Sequence, residues 1–258
     1  MHLSKWCEEL KNCTRRKDLA KGSRIHAYLL RVGLFEQDSY VDFTLLNFYA
    51  KCGAFSKAQE VLDKLDVRTI VFWNSLITGY AQSGYGQEAM ACFRQVRQEG
   101  IFPNVVTLMS ILKACCSLKA LNMGKEIHGG IIHEEFLVKD VLIGTVLVDM
   151  YAKCGELARA RGVFDKIQAV DVVCWNVMIG GCIQNALYEE ALNCFERMQI
   201  SQITPNVVTF IYALKASGHI GAYEKGKQLH DMVSREGFLD KHVSVGNALV
   251  DMYMRFGY

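Results

Sequence analysis

The sequence predicts an all-α chain, an α-solenoid in which antiparallel helix hairpins stack into a right-handed superhelix. Three observations predict it. The chain repeats itself at a long fixed interval, apolar residues recur at helical spacing within each interval, and Pro103 and Pro205 are the only prolines in 258 residues. A repeat of this kind organises the whole chain before any local motif does.

The interval is 102 residues. Pro103 recurs as Pro205, and Trp73-Asn74 as Trp175-Asn176. Asn104-Val105-Val106-Thr107 recurs as Asn206-Val207-Val208-Thr209, and Ala50-Lys51-Cys52-Gly53 as Ala152-Lys153-Cys154-Gly155. Gly22, Gly124 and Gly226 form one series, and His26, His128 and His230 another. So many residue types do not align at one offset by chance.

Each interval divides into pieces of 36, 31 and 35 residues, with boundaries at 3–38, 39–69, 70–104, 105–140, 141–171, 172–206 and 207–242. An eighth piece runs over 243–258 and holds one helix, as a fragment of a longer array would. In 70–104, Leu76, Ile77, Tyr80 and Ala81 fall on one helical face. After the turn Ser83-Gly84-Tyr85-Gly86, Ala89, Phe93 and Val96 form a second stripe, which Ala191, Phe195 and Met198 repeat. Two short helices with one stripe each make a hairpin that cannot bury both stripes alone, so neighbours must stack. In Gly100-Ile101-Phe102-Pro103-Asn104, glycine permits a left-handed cap and proline prevents continuation of the helix.

Composition constrains function weakly. Twenty-nine basic against 27 acidic side chains leave a net charge of +2, which is low for a simple polyanion binder but compatible with a locally positive groove. Ten cysteines include no CxxC pair and sit beside apolar residues, so they read as buried reduced thiols in a reducing compartment. Asn12-Cys13-Thr14 matches a glycosylation acceptor by chance there. No run approaches the roughly 20 apolar residues of a membrane span. No targeting segment is read either, because the helical pattern begins within about ten residues of Met1.

These residues resemble pentatricopeptide repeats. Ile70–Asn104 and Val172–Asn206 are similar to the standard 35-residue repeat. The 31-residue pieces, with Asp149-Met150-Tyr151-Ala152-Lys153-Cys154-Gly155 and Val163-Phe164-Asp165, resemble the short variant. Those with Gly124-Lys125-Glu126-Ile127-His128 resemble the long one. The order long, short, standard resembles the plant PLS subfamily. On that resemblance 3–38, 105–140 and 207–242 are L-type, 39–69, 141–171 and 243–258 S-type, and 70–104 and 172–206 P-type.

The resemblance implies a modular reader of single-stranded RNA, one base per repeat, working on an organellar transcript in a mitochondrion or chloroplast. In the family the first helix of each repeat lines the groove. The fifth residue faces the base edge, the last residue supports it, and the second packs between successive bases. Asn74 with Asn104 and Asn176 with Asn206 then resemble a pyrimidine reader, cytosine over uracil, and Thr145 with Asp171 a guanine reader. Asn247 suggests a pyrimidine, with its partner position beyond residue 258. Val71, Val106, Leu142, Val173 and Val208 would wedge between bases. Phe43 with Thr69 matches no pairing, and Cys7, Met109 and Ile211 do not read by hydrogen bonds. The implied footprint along 39–258, 5′ to 3′, is any–C/U–any–G–C/U–any–C/U. Lys51, Lys153 and Arg255 share one position at the end of a first helix. They read equally as phosphate contacts or as solvated cations favoured by the helix dipole. Arg15-Arg16-Lys17 reads as a solvated turn.

Chemistry is not expected. The three histidines lie one per interval, too far apart to converge on a metal, and read as packing residues. His133-Glu134-Glu135 lacks the second histidine of a zinc-protease helix, and no Gly-rich phosphate loop occurs. Many members of the subfamily end in a cytidine-deaminase-like DYW domain, whose HxE and CxxC signature is missing here. C-to-U editing at a site chosen by this chain would therefore need catalysis from elsewhere, with editing-complex proteins as partners. No cofactor, membrane or small-molecule substrate is implied. The alternative is a protein-binding scaffold like the tetratricopeptide arrays, which have 34-residue units and a different Trp-Leu-Gly-Tyr pattern.

Overall fold

A computed structural model describes residues 3–35, 37–130 and 141–257. The His133-Glu134-Glu135 motif and the boundary at residue 140 lie outside them. The described residues form sixteen helices and no strand. Contacts divide the chain into two compact units, Met1–Leu118 and Lys119–Tyr258.

The first unit holds α1 (Leu3–Arg16), α2 (Leu19–Arg31), α3 (Ser39–Lys51), α4 (Phe55–Asp63), α5 (Ile70–Gln82), α6 (Gly86–Gln98) and α7 (Val105–Leu118). Helices α1, α3, α5 and α7 pack side by side as one layer, while α2, α4 and α6 turn back as the second arms of their hairpins. Position in the layers explains composition. Helix α5 has neighbours on both sides and behind, and buries Phe72, Trp73, Leu76 and Ile77. Helix α6 is covered on one face only and buries Ala89, Phe93 and Val96.

The second unit holds α8 (Leu121–Gly130), α9 (Val141–Lys153), α10 (Leu157–Phe164), α11 (Val172–Gln184), α12 (Tyr188–Ile200), α13 (Val207–Ile220), α14 (Tyr223–Arg235), the short α15 (Phe238–Lys241) and α16 (Val243–Arg255). Helices α9, α11, α13 and α16 form its shared layer, with α10, α12 and α14 as second arms. Ala191, Phe195 and Met198 are fully buried on α12, as Ala89, Phe93 and Val96 are on α6.

Two glycine features set how closely hairpins approach and where they stop. A Cβ on Gly22 would lie 2.0 Å from the Phe48 ring, and one on Gly124 2.5 Å from the Met150 sulfur, so these positions admit no side chain without movement. Gly100 ends the α6 hairpin arm at φ +69°. Its copy is Gln202, which adopts the same left-handed region at φ 57° without glycine's freedom.

The recurring histidines are hairpin fasteners. His26, His128 and His230 each hydrogen-bond through Nδ1 to a tyrosine hydroxyl of the next first helix, Tyr49 at 3.0 Å, Tyr151 at 2.8 Å and Tyr253 at 2.9 Å. All ten cysteines are free thiols, and burial pushes Cys92 and Cys174 up to about 11. Among the described residues no helix is long and apolar enough to cross a membrane, and no His/Cys/Asp/Glu cluster could hold a metal.

Candidate nucleic-acid interface

Each unit carries an open cleft across three consecutive first helices. In the first unit it encloses about 360 Å³ between Phe43, Asn47 and Lys51 of α3, Val71, Asn74, Ser75 and Thr78 of α5, and Asn104 and Val106 at the start of α7. In the second it encloses about 380 Å³ between Asp149 and Lys153 of α9, Val173, Asn176, Val177 and Gly180 of α11, Asn206, and Val208 and Tyr212 of α13. Nearly every residue of one cleft has its 102-residue counterpart in the other.

Both clefts are built on a helix cap. The last residue of one repeat immediately precedes the next first helix, so its side chain caps that helix and is held beside the preceding one. Asn206 Oδ1 accepts from the N–H groups of Val208 (3.0 Å) and Thr209 (3.1 Å), and the Asn206 N–H donates to Thr209 Oγ1 (3.1 Å), a closed capping box. Asn104 accepts from the Thr107 N–H at 3.1 Å, and its own N–H donates to Thr107 Oγ1 at 3.1 Å.

The cap orients the amide facing it. Because Asn104 Oδ1 accepts a backbone N–H, its identity as oxygen is settled, and the Asn74 atom at 3.0 Å must be Nδ2, a donor. Asn74 Oδ1 then accepts the Thr107 hydroxyl proton at 2.6 Å. The second cleft repeats this: Asn176 Nδ2 donates to Asn206 Oδ1 at 3.1 Å, and Thr209 Oγ1 donates to Asn176 Oδ1 at 2.7 Å. One Nδ2 hydrogen of the fifth-position asparagine, and both of the capping asparagine, are left unused by the protein among the described residues. Each cleft therefore presents donors, held by a buried threonine that is 0% exposed in both copies.

Thr145 and Asp171 are arranged differently. Asp171 caps α11 by accepting the Cys174 N–H at 2.8 Å, and Thr145 donates its hydroxyl proton to the Val141 carbonyl at 2.8 Å. Among the described residues no direct hydrogen bond joins the two. Thr145 is 9% exposed, as is Asn74, while Asp171 and Asn247 are exposed. With the Thr145 proton committed and one Asp171 oxygen in the cap, what remains is acceptor capacity.

The five aliphatic residues at second positions are all solvent-exposed despite being apolar: Val71 51%, Val106 51%, Leu142 61%, Val173 55% and Val208 43%. Sequence reasoning missed an exposed aromatic at the same position, Tyr40, which lies 102 residues before Leu142, is 51% exposed and has Lys11 Nζ 5.4 Å from its ring centroid. It also missed Thr107 and Thr209, whose signal is their place three residues after the capping asparagine. Lys51, Lys153 and Arg255 are exposed at the ends of α3, α9 and α16. Met109 and Ile211 are half-buried and lie outside both clefts.

A model of the PPR repeat family matches residues 68–117 and 170–217, and a PPR repeat model matches 145–172. The chain is 37% identical to the mitochondrial pentatricopeptide repeat-containing protein At2g03380 of Arabidopsis thaliana, over 95% of this chain and 35% of that protein. It is 36% identical to the chloroplastic protein At4g18520 of the same plant, over 98% of this chain and 40% of the relative. It thus spans about 35–40% of the length of these curated relatives. Among solved structures it resembles the pentatricopeptide repeat protein PPR10 from maize, with a TM-score of 0.76 at 20% identity over 97% of this chain and 36% of that one. It also resembles PPR10 in complex with an 18-nt psaJ RNA element, with a TM-score of 0.72 at 20% identity, over 98% and 38% of the two chains. Stacked hairpins, repeat-model matches and relatives agree that this chain belongs to the pentatricopeptide repeat family.

Proposed function

We propose that the chain is a sequence-specific reader of single-stranded RNA, with one reading position per repeat on the boundaries given above and without chemistry of its own. The observation that carries this reading is the pairing of polar residues with exposed aliphatic ones, Asn74 with Val71 and Val106, and Asn176 with Val173 and Val208, at matched places in both clefts. An apolar side chain left in water beside an oriented amide suits a nucleobase, which offers an apolar face and a polar edge.

Hydrogen-bond polarity supports particular bases. Cytosine alone presents two adjacent acceptors, O2 and N3, on its Watson–Crick edge, which complements the donor set of the asparagine pairs; uracil separates its two acceptors with a donor. Guanine alone presents two adjacent donors, N1–H and N2–H, which complements the acceptors left on Thr145 and Asp171. The footprint any–C/U–any–G–C/U–any–C/U follows, with pyrimidines opposite Asn74/Asn104, Asn176/Asn206 and Asn247.

The likeness to PPR10 bound to RNA supports the ligand class, and the organelle-labelled relatives support a mitochondrial or chloroplast location. The three alternating repeat lengths support a PLS-type array that selects a processing site such as one for C-to-U editing, with deamination supplied by another domain or an editing-complex partner.

The test is a mobility-shift series with synthetic RNAs carrying single-base changes. Replacing the guanine opposite Thr145/Asp171 should weaken binding about tenfold, the factor for one unpaired buried polar edge. Indifference to every base change would favour the protein-binding scaffold instead.

A further inference from the structure

The third residue of a first helix tracks the fifth residue of the first helix before it. Thr107 of α7, Cys174 of α11 and Thr209 of α13 carry a hydrogen-bonding group, and they follow helices whose fifth residues are Asn74, Thr145 and Asn176. Where the third residue is apolar, the preceding fifth residue has no reading group. Val41 follows Cys7, Phe72 follows Phe43, Ile143 follows Met109 and Val245 follows Ile211. All these third residues are buried, Phe72 at 6% being the most exposed, so access to water does not decide which are polar.

The helix start dictates the contact. The capping side chain accepts the backbone N–H of the third residue: Thr107 to Asn104 at 3.1 Å, Cys174 to Asp171 at 2.8 Å and Thr209 to Asn206 at 3.1 Å. The third side chain is then held against the preceding first helix. Thr107 Oγ1 lies 2.6 Å from Asn74 Oδ1 and Thr209 Oγ1 2.7 Å from Asn176 Oδ1, while the Cys174 thiol hydrogen-bonds Thr145. Thr145 has given its own proton to the Val141 carbonyl, so there the thiol is the donor. One buried residue thus holds both members of the preceding pair, the last through its backbone and the fifth through its side chain. At Phe72 the same place is filled by a ring against Phe43, with centroids 6.2 Å apart and no proton to give.

We propose that the third residue of a first helix is a specificity-determining positioning residue for the base facing the preceding repeat, which it serves by donating a proton to the fifth-residue oxygen there. The inference rests on the reading of the chain as a single-stranded RNA binder. The donated proton fixes which part of the fifth residue stays buried. What faces the groove is then an amide hydrogen at Asn74 and Asn176, and a free lone pair at Thr145. The base opposite Thr145 is governed from the next repeat, by Cys174. Closing a helix start is the ordinary role of a residue at this place, and that alternative predicts a change in stability with base preference intact.

Cys174 separates the two roles, because it lies on the helix that carries Asn176 while its thiol serves Thr145. The probe is a labelled synthetic RNA containing ACAGCAC, with all four bases placed in turn at its guanine, opposite Thr145, and at the cytosine that follows, opposite Asn176. The full chain would be titrated against each RNA by fluorescence anisotropy. Cys174→Ala should lower the guanine preference about threefold, the share of one weak hydrogen bond, and leave the cytosine preference unchanged. Cys174→Ser keeps a donor and should retain the guanine preference. Thr209→Val should do the converse of Cys174→Ala, lowering the cytosine preference alone. Helical circular dichroism shows which variants are folded, and Thr209→Val carries the test if Cys174→Ala is not. An effect of Cys174→Ala on cytosine preference as large as that on guanine, or a Cys174→Ser chain no more selective than Cys174→Ala, would overturn the inference. Base-selective binding by the unaltered chain, with both preferences unmoved in Cys174→Ala and Thr209→Val, rejects this inference alone. Absence of base-selective binding by the unaltered chain rejects the RNA reading and this inference with it.

Discussion

The cleft on α5 and the cleft on α11 are built from the same residues at a 102-residue offset, yet they are not chemically equal. Both keep the capping asparagine, the threonine behind it and the oriented amide between them. Around that shared frame the first unit has Asn47, Ser75, Thr78 and Ser110, whereas the second has Asp149, Val177, Gly180 and Tyr212. Thr78 and Ser110 share a hydrogen bond of 2.9 Å across the first cleft. In the second, Gly180 leaves the room that the Tyr212 ring occupies, since a Cβ there would lie 3.0 Å from the ring. The parts that orient a hydrogen bond are held constant, and the parts that set charge and shape vary. That is the pattern expected if geometry is common to the two asparagine clefts and affinity is adjusted locally.

The largest difference between the two units concerns packing. Gly22→Ala pushes a methyl into the Phe48 ring, which is fully buried and has nowhere to retreat, while Gly124→Ala meets the flexible Met150 thioether. Urea denaturation should show a loss of about 3 kcal/mol for the first and about 1 kcal/mol for the second, within the span known for overpacked cores. Equal losses would mean that the two hairpin contacts are equally tight.

The threonine locks come next. Thr107→Val removes the donor to Asn74 Oδ1 and the acceptor for the Asn104 N–H. It should cost about 2 kcal/mol, against about 1 kcal/mol for Thr209→Val, because Asn74 is more deeply buried than Asn176 and a stranded buried amide costs more. Both variants should also lose preference for cytosine in RNA binding, since the amide they orient becomes free to flip. Stability loss with base preference intact would remove the orienting role.

Smaller effects come from places where the second unit lacks a partner that the first has. Trp73 Nε1 donates to Glu99 at 3.2 Å, whereas Trp175 Nε1 is buried without a hydrogen-bond partner among the described residues and the residue at the matching position is Ser201. Ser201→Glu should raise stability by about 1 kcal/mol, the contribution of one hydrogen bond to a formerly unsatisfied donor. An unchanged thermal midpoint would show that solvent already serves that indole. Gln202→Gly relieves a left-handed backbone and should add about 0.5 kcal/mol, net of glycine's extra freedom in the unfolded chain. The same change would be a loss if Gln202 were not held at positive φ.

Much of this was legible in the sequence because repetition exposes it. Asn74 and Asn104 could be paired before any coordinates, since both recur at one offset, and the exposed valines followed from their places in the repeat. Tyr40 is equally accessible by subtracting the offset from Leu142, although a tyrosine there differs in kind from the aliphatic residues of the other repeats. Thr107 and Thr209 were hidden for a physical reason: a buried threonine near a helix start reads as an ordinary capping or packing residue, and its bond crosses to another helix 33 residues away. Donor and acceptor polarity was beyond the sequence altogether. It emerges only when a backbone N–H identifies one amide oxygen and the assignment passes from Asn104 to Asn74. The sequence also suggested that Thr145 and Asp171 act as one pair; no direct hydrogen bond joins them among the described residues, and they meet instead at Cys174, whose backbone N–H bonds Asp171 and whose thiol bonds Thr145.

Polarity is the decisive property, with donors in the asparagine clefts and acceptors at Thr145 and Asp171. Rebuilding the second cleft in the other polarity tests it most directly: Asn176→Thr combined with Asn206→Asp, with binding measured against four synthetic RNAs that differ only in the base opposite that cleft. The account predicts that the preferred base changes from cytosine to guanine while affinity for the best RNA stays within about threefold, since one matched edge replaces another. Retention of the cytosine preference, or equal binding of all four RNAs before and after the change, would contradict it.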